Sequence, residues 1–150
     1  MQHPPATVST AIPGARIPNY RNSDQRAIRL IGLGPAAGAL VSRISARGLP
    51  NVAVMTRDAP VGWPAIVGEK PGCGLNMIVI VCHEGDARLF RPTAGRPDVL
   101  VTFVLLRREG HPLAAGDADP DVERARACCD LFVTTSDRDY VSELIDNLAS

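Results

Sequence analysis

The segment from Ile28 to Asp58 constrains the fold more than any other feature, because it is arranged as strand, glycine turn, helix and second strand. The stretch "AIRLIGL" is a short apolar run that ends at glycine, which is typical of a buried strand. Pro35 has the fixed φ that suits a first helical turn, and apolar residues then recur at helical spacing from Ala37 to Ile44. The segment predicts a parallel strand–helix–strand unit.

The same alternation of apolar runs and helical patterns continues to the end of the chain. Strands that alternate with helices favour a mostly parallel sheet with right-handed crossovers. We therefore expect one three-layer α/β domain over residues 26–150, of the Rossmann-like kind, with about five strands, helices on both faces and any ligand beyond the carboxyl ends of the strands. After an irregular connection over 59–76, the pattern predicts strands over 77–82, 98–106 and 130–135. It predicts helical turns over 84–90 and a helix that begins at Asp119-Pro120. The last helix is expected to begin with a capping box at Ser136 and Asp139.

Composition and charge limit the partners of the chain. The formal net charge is zero over 150 residues, so no general attraction to nucleic acid or to an anionic membrane is expected. No apolar run approaches the ~20 residues of a membrane span, and the N-terminus lacks the pattern of a secretory signal. Residues 1–25 are rich in proline and small polar residues without a hydrophobic period. We expect a flexible N-terminal tail, a cytoplasmic location, and no nucleic-acid or membrane partner.

The glycine turn "GLGPAAG" is the first candidate for a binding site. Gly32 and Gly34 permit a tight turn where backbone N–H groups can approach a phosphate, and the positive end of the following helix points to the same place. Asp58 follows at about the spacing of a ribose-binding acid, whereas Arg57 suits a 2′-phosphate. The same glycines also serve a purely structural turn, and Pro35 removes one N–H donor. The residues alone leave both interpretations open.

The turn "CHEGD" is the second candidate, but its residues predict neither a catalytic nor a metal site. Cys82 and His83 are adjacent, so on a strand their side chains point to opposite faces. None of the four cysteines shows the C-x-x-C spacing of a zinc site or the pattern of a disulfide framework. We expect reduced, mostly buried thiols. Trp63, in the irregular connection, is expected to close over the core rather than to form a protein-contact surface.

Residues 28–58 resemble the opening of the FtsZ/tubulin family, in which a strand leads to a glycine-rich loop, a helix, a "GL" turn and a second strand. The matching letters here are "GLGPAAG", "ALVSRIS", "ARGLPNV" and "TRD". Further along, "DVLVTFVLLRREG" and "VERARACCDLFVTTSDRDYVSEL" resemble a later strand of that family and the helix, strand and helix that follow it. Together the matches cover about half of the chain in the family's order.

Departures from the family pattern affect the activity that the resemblance implies. The phosphate loop of the family, "GGGTGTG", is replaced here by "HEGDARLF", in which Glu84 and Asp86 would repel a triphosphate. In the first loop, Pro35, Ala37 and Ala39 stand where the family has two glycines and an asparagine.

The resemblance therefore implies a bacterial FtsZ-like domain without GTPase activity. Such a domain would be a catalytically silent accessory or regulatory protein that acts through a protein partner or as a homo-oligomer. Its GTP or GDP site would be vestigial or weak. The residues of that site would be Gly32, Leu33, Gly34, Pro35, Ala36, Ala37, Gly38, Arg57, Asp58, His83 and Gly85.

The same opening also resembles the NADP-binding start of the 6-phosphogluconate and 3-hydroxyacid dehydrogenases, whose second strand often ends in "NRT". This resemblance implies that Arg57 would meet the 2′-phosphate of NADP. The chain would then be an NAD(P)-binding module of an oxidoreductase or a redox sensor. The catalytic lysine of those enzymes lies in a separate helical domain that has no counterpart in this sequence.

Overall fold

The computed structural model describes residues 7–10, 27–67, 75–92, 95–108 and 119–149. Within these ranges the chain forms six strands, four α-helices and one short 3-10 helix. The strands are β1 (Thr7–Thr10), β2 (Ala27–Leu33), β3 (Val52–Arg57), β4 (Leu75–His83), β5 (Leu100–Leu106) and β6 (Leu131–Thr135), and the helices are α1 (Pro35–Ser45), α2 (Trp63–Val67), the 3-10 helix (Glu84–Leu89), α3 (Pro120–Ala127) and α4 (Arg138–Ala149).

The six strands form a single sheet in the order β1-β6-β5-β4-β2-β3. Strands β2 to β6 run parallel, and β1 pairs antiparallel with β6 at one edge. This architecture confirms the predicted α/β fold with a mostly parallel sheet. Because the strand order reverses between β2 and β4, the helices that follow these two strands diverge, and a fold of this kind has its crevice at the carboxyl ends of such strands.

Strand β1 is a difference from the sequence-based expectation, because Thr7–Thr10 lie in the segment predicted as a flexible tail. These residues pair with β6 from Thr7 opposite Thr134 to Thr10 opposite Leu131. The pairing depends on backbone groups at the edge of β6 that need hydrogen-bond partners, so it requires no hydrophobic period in the added strand. The remaining residues of the predicted tail, 1–6 and 11–25, lie outside the described residues.

Helices cover both faces of the sheet. Helices α1 and α4 pack on one face, where Val41 and Ile145 are fully buried against β2, β4 and β5. Helices α2 and α3 and the 3-10 helix pack on the other face. The central strand β4 is buried on both faces, as its apolar sequence predicts. None of the helices in the described ranges is long and apolar enough to cross a membrane.

A continuous row of aromatic rings organises the face that carries α2, α3 and the 3-10 helix. Trp63 meets Phe90 edge-on with ring centroids 5.4 Å apart, and Phe90 lies 5.4 Å from Phe103. Phe103 in turn stacks on Phe132 at 5.6 Å with an interplanar angle of 3°, and the Arg126 guanidinium covers that ring at 4.6 Å. Trp63 is only 3% exposed, which confirms its predicted role as a cover over the core.

The start of α4 differs in detail from the predicted capping box at Ser136. The side chain of Asp137, not Ser136, caps the helix by accepting a hydrogen bond from the Asp139 N–H at 3.0 Å. Thr135 Oγ1 accepts from the Asp137 N–H at 3.0 Å and so fixes the preceding turn. The helix begins one residue later than predicted because Asp137 has the better-placed acceptor.

The aromatic row gives a testable prediction for stability. Phe103→Ala should lower the free energy of unfolding by ~3–5 kcal/mol, because it removes the central ring and leaves a cavity in a buried row. Leu144→Ala, on a half-buried position of α4, serves as the control and should cost clearly less. Urea denaturation at equilibrium measures both values. Equal losses for the two variants would contradict the central role of the row.

Candidate functional site

The candidate site lies where the strand order reverses, at the carboxyl ends of β2, β3 and β4. Strand β2 ends in the glycine turn, β3 ends at Arg57, and β4 ends at His83, directly before the 3-10 helix. Because parallel strands end at the same edge, the fold places the predicted segments side by side. Leu33 pairs with Arg57 on one side and with Cys82 on the other.

Gly34 forms the turn between β2 and α1 in a conformation that favours glycine, with φ of 88°. Its N–H donates to the Arg57 carbonyl at 2.8 Å, and its carbonyl accepts the first helical hydrogen bond from the Gly38 N–H at 2.8 Å. Pro35 at the start of α1 has no N–H. Two of the backbone donors that a phosphate cradle would require here are therefore used or absent.

Gly32 has a packing role that the sequence alone did not distinguish from phosphate binding. A Cβ atom at this position would lie 2.7 Å from Val41 Cγ2 and 2.8 Å from the Ala37 carbonyl oxygen. The first turn of α1 therefore rests directly on the backbone of β2. This close approach explains the glycine without a ligand.

The side chain of Asp86 lies against the glycine turn from the side of the 3-10 helix. A Cβ atom added to Gly34 would come within 2.6 Å of Asp86 Cγ, so the carboxylate occupies the space directly beside Gly34. Arg88 Nη1 lies 3.3 Å from the other carboxylate oxygen, and the Asp86 side chain is 19% exposed. The crevice at the end of β2 thus holds a negative charge that belongs to the protein.

The other polar groups of the "CHEGD" turn hold the 3-10 helix in place. His83 Nδ1 accepts a hydrogen bond from the Gly85 N–H at 3.2 Å, which makes His83 the cap of this helix. Glu84 accepts from the Arg108 N–H at 3.0 Å and lies 3.7 Å from the Arg107 guanidinium. These contacts tie the end of β4 to the end of β5.

Cys82 is not arranged as a nucleophile. Its side chain is fully buried, and its Sγ donates to the His83 backbone carbonyl at 3.3 Å rather than to the imidazole. Burial, aided by the nearby Asp86 carboxylate and opposed by Arg88, raises the pKa of the Cys82 thiol from 9.0 to about 12. The thiol therefore stays protonated at neutral pH, and the described Cys82, Cys128 and Cys129 are all free thiols.

The predicted site residues lie at one end of the sheet but do not all face the crevice. Leu33 and Ala37 are fully buried in the core, whereas Pro35 and Asp58 are exposed. Arg57 is also exposed, and its guanidinium donates to the Thr56 carbonyl at 2.9 Å along the outer edge of β3. The turn from Gly32 to Gly38, with Ala36 half-buried, and the segment from His83 to Gly85 follow the carboxyl ends of the neighbouring strands β2 and β4.

Asp86 is not among the predicted site residues, although the family resemblance places it, with Glu84, where the phosphate loop would be and predicts repulsion of a triphosphate. The structure adds that Asp86 lies directly beside Gly34, whereas Glu84 contacts Arg107 and Arg108 instead. Within the described ranges, no group of three His, Cys, Asp or Glu side chains could hold a metal ion.

Comparisons with protein-family models, with curated protein sequences and with solved structures found no match for this chain.

The buried thiol gives a prediction for the pH dependence of stability. The unfolded chain loses the Cys82 proton near pH 9, whereas the folded protein keeps it up to about pH 12. The contribution of this thiol to the free energy of unfolding is therefore fully present below pH 9 and is lost between pH 9 and about pH 12. The free energy of unfolding falls by up to ~1.4 kcal/mol per pH unit for each such thiol. Cys129, whose pKa burial also raises to about 12, contributes in the same direction.

Urea unfolding of the native protein and of Cys82→Ala at pH 8, 9 and 10 measures this effect. The variant should lose less stability than the native protein between pH 9 and pH 10, because one of the buried thiols is gone. Comparing slopes rather than absolute values separates titration from the packing lost with the sulfur atom. Identical slopes would show that Cys82 does not titrate differently in the folded and unfolded states.

Proposed function

We propose that this chain is a catalytically silent α/β domain that acts through contacts with other proteins. In this proposal it is an FtsZ-like accessory or regulatory protein whose glycine turn no longer holds a nucleotide phosphate. The observation that carries the proposal is the Asp86 carboxylate directly beside Gly34, at the turn where the resembling family holds a phosphate. The proposal joins the family resemblance of the sequence to this geometry.

Electrostatics favour exclusion of a phosphate from the turn. Two unit charges of the same sign about 4 Å apart repel each other by ~4 kcal/mol at the effective dielectric constant of a protein surface. This energy corresponds to about a thousandfold loss in affinity. Arg88 offsets little of it, because its side chain is 58% exposed and such ion pairs contribute only ~0–1 kcal/mol. The ion pair with Arg88 therefore leaves most of the repulsion between the Asp86 carboxylate and a phosphate in place.

Hydrogen bonding supports the same conclusion. A phosphate at a helix N-terminus is held by backbone N–H groups that have no other partner. Here the Gly34 N–H already donates to Arg57, and Pro35 contributes no donor. The turn therefore offers a phosphate fewer backbone donors than a helix N-terminus without a proline does.

The polar residues of the "CHEGD" turn support a non-catalytic role. His83 and Glu84 are engaged in capping and bridging hydrogen bonds, and the Cys82 thiol is buried and protonated. An activated nucleophile needs a base within hydrogen-bond reach and a thiolate that is accessible. These residues stabilise the fold of the turn instead.

One observation favours the alternative, an NAD(P)-binding module. Arg57 is exposed at the end of β3 beside the glycine turn, where a guanidinium can contact a 2′-phosphate. Asp86 opposes this function as well, because a dinucleotide also places its pyrophosphate at the glycine turn. The two proposals therefore differ in whether NADPH alone binds.

A thermal-shift titration with GTP, GDP, ATP, NADH and NADPH at millimolar concentration tests the proposal. We expect no shift for the native protein with any of them. A ligand at 100 times its dissociation constant would add ~2.7 kcal/mol, which raises the Tm by several degrees. A shift with guanine nucleotides would contradict a closed turn, and a shift with NADPH alone would support the alternative.

The variant Asp86→Asn isolates the role of the charge, because it keeps the shape of the side chain. It should bind GTP or GDP more tightly than the native protein does, since the repulsion is removed. Asp98→Asn removes an exposed carboxylate just before β5, at the opposite end of the sheet, and is the matched control, which should change nothing. If Asp86→Asn binds no better than the Asp98→Asn control, the carboxylate is not what closes the turn.

A further inference from the structure

Strand β3 is the last strand of the sheet on the side opposite β1. It pairs with β2 through six consecutive positions, from Val52 opposite Ile28 to Arg57 opposite Leu33. No strand in the described part of the chain pairs with its outer edge. An edge of this kind offers unpaired backbone groups to another strand.

The hydrogen bonds to β2 define which backbone groups point outward. The Ile28 N–H donates to the Asn51 carbonyl at 2.9 Å, and the Gly34 N–H donates to the Arg57 carbonyl at 2.8 Å. In a parallel pair, alternate residues bond to the neighbour, so the odd-numbered residues of β3 face β2. The N–H and carbonyl groups of the even-numbered residues, Val52, Val54 and Thr56, therefore face outward. The bond from Arg57 Nη1 to the Thr56 carbonyl agrees with this assignment.

The outer edge lacks the features that usually prevent strand pairing. Its sequence, "VAVMTR", contains no proline and carries no charge before Arg57 at its end. Ala53 is exposed, and Val52, Val54 and Met55 are only half-buried. The strand therefore offers a neighbour apolar side chains and backbone groups that pair with no strand among the described residues.

We propose that β3 pairs antiparallel with β3 of a second copy of this chain, about a twofold axis at Val54, so that the two sheets become one. In this register Val54 faces Val54 of the second copy, Val52 faces Thr56, and Ala53 faces Met55. This inference deepens the proposed role in protein contacts and rests on it, because it names the partner and the surface.

The outward backbone groups fit this register. In an antiparallel pair, residues that exchange both hydrogen bonds lie directly opposite each other. The outward groups are on even-numbered residues in both copies, so the pairs Val52–Thr56 and Val54–Val54 can all form such bonds. If the register of the two strands shifted by one residue, residues whose backbone groups point outward would lie opposite residues whose groups point toward β2. The Arg57 guanidinium, being exposed, can leave the Thr56 carbonyl or share it.

The side chains are also complementary in this register. On one face the exposed Ala53 faces the half-buried Met55, so a small residue meets a large one twice across the axis. At the ends of the pairing Arg57 faces Asn51, so no like charges are directly opposite each other. The symmetry makes one patch self-complementary, as a twofold interface requires.

Helix α1 leaves room for the second copy. Gly38 contacts Thr56, with 3.6 Å between a Cβ built on Gly38 and Thr56 Cγ2, so this side of α1 lies over β3. Ser42 and Ser45 follow on the same side at helical spacing, and both are exposed and small. Arg47, near the other end of α1, instead pairs with Asp146 of α4 at 2.7 Å, away from the edge. The side of α1 next to β3 thus carries small, uncharged side chains.

Light scattering after size-exclusion chromatography, over a range of concentrations, tests the pairing. The native protein should have twice the 15.9 kDa mass of one chain. Ala53→Lys should halve that mass, because a charged side chain at the centre of the pairing opposes association. Ala127→Lys adds the same charge at an exposed position on α3 and should remain dimeric.

Val54→Cys tests the register independently and decides the matter if Ala53→Lys does not fold. Residues directly opposite across the axis are close enough for a disulfide, so mild oxidation should give a covalent dimer on a non-reducing gel. The native protein and Ala127→Cys, treated in the same way, should not. A native protein of single-chain mass, a dimeric Ala53→Lys, or the absence of a cross-link through Cys at position 54 would each overturn the proposal. The nucleotide titration is unaffected by these outcomes, so a failure of the pairing is distinguishable from a failure of the closed turn.

Discussion

The row of aromatic rings from Trp63 to Phe132 fixes the position of the 3-10 helix, and the candidate site depends on that position. Phe90 directly follows the 3-10 helix and is held in the row by Trp63 on one side and Phe103 on the other. A backbone bridge joins it to Val61, whose N–H donates to the Leu89 carbonyl at 2.9 Å. The packing of Phe90, after the 3-10 helix, therefore determines where the Asp86 carboxylate lies, near the start of that helix.

The polar residues around Asp86 act together to keep the crevice filled. His83 caps the start of the 3-10 helix and Glu84 joins it to the end of β5, so these contacts anchor the helix just before Asp86, while the row holds Phe90 after it. Movement of Asp86 away from Gly34 would disturb this network as well as the aromatic row.

The strands and the long helices were predictable because burial leaves a periodic pattern in the sequence, as in "MIVIVC" and in the apolar spacing of α1. The contacts that define the site left no such pattern. Gly32 serves helix packing and Asp86 reaches Gly34 across the fold, and both depend on distances between segments far apart in the chain. Strand β1 is held by backbone pairing, which is nearly independent of side chains. The cap of α4 lies one residue after its predicted position, because Ser136 and Asp137 are both suitable caps and Asp137 accepts the hydrogen bond.

The two edges of the sheet differ in a way that bears on the proposed assembly. The edge next to β6 carries β1, an antiparallel strand of only four residues, and such short strands offer little for further pairing. The edge at β3 has six residues, and no strand in the described part of the chain pairs with it. In the proposed assembly β3 pairs with its own counterpart, so both copies use the same edge and the assembly closes at two chains.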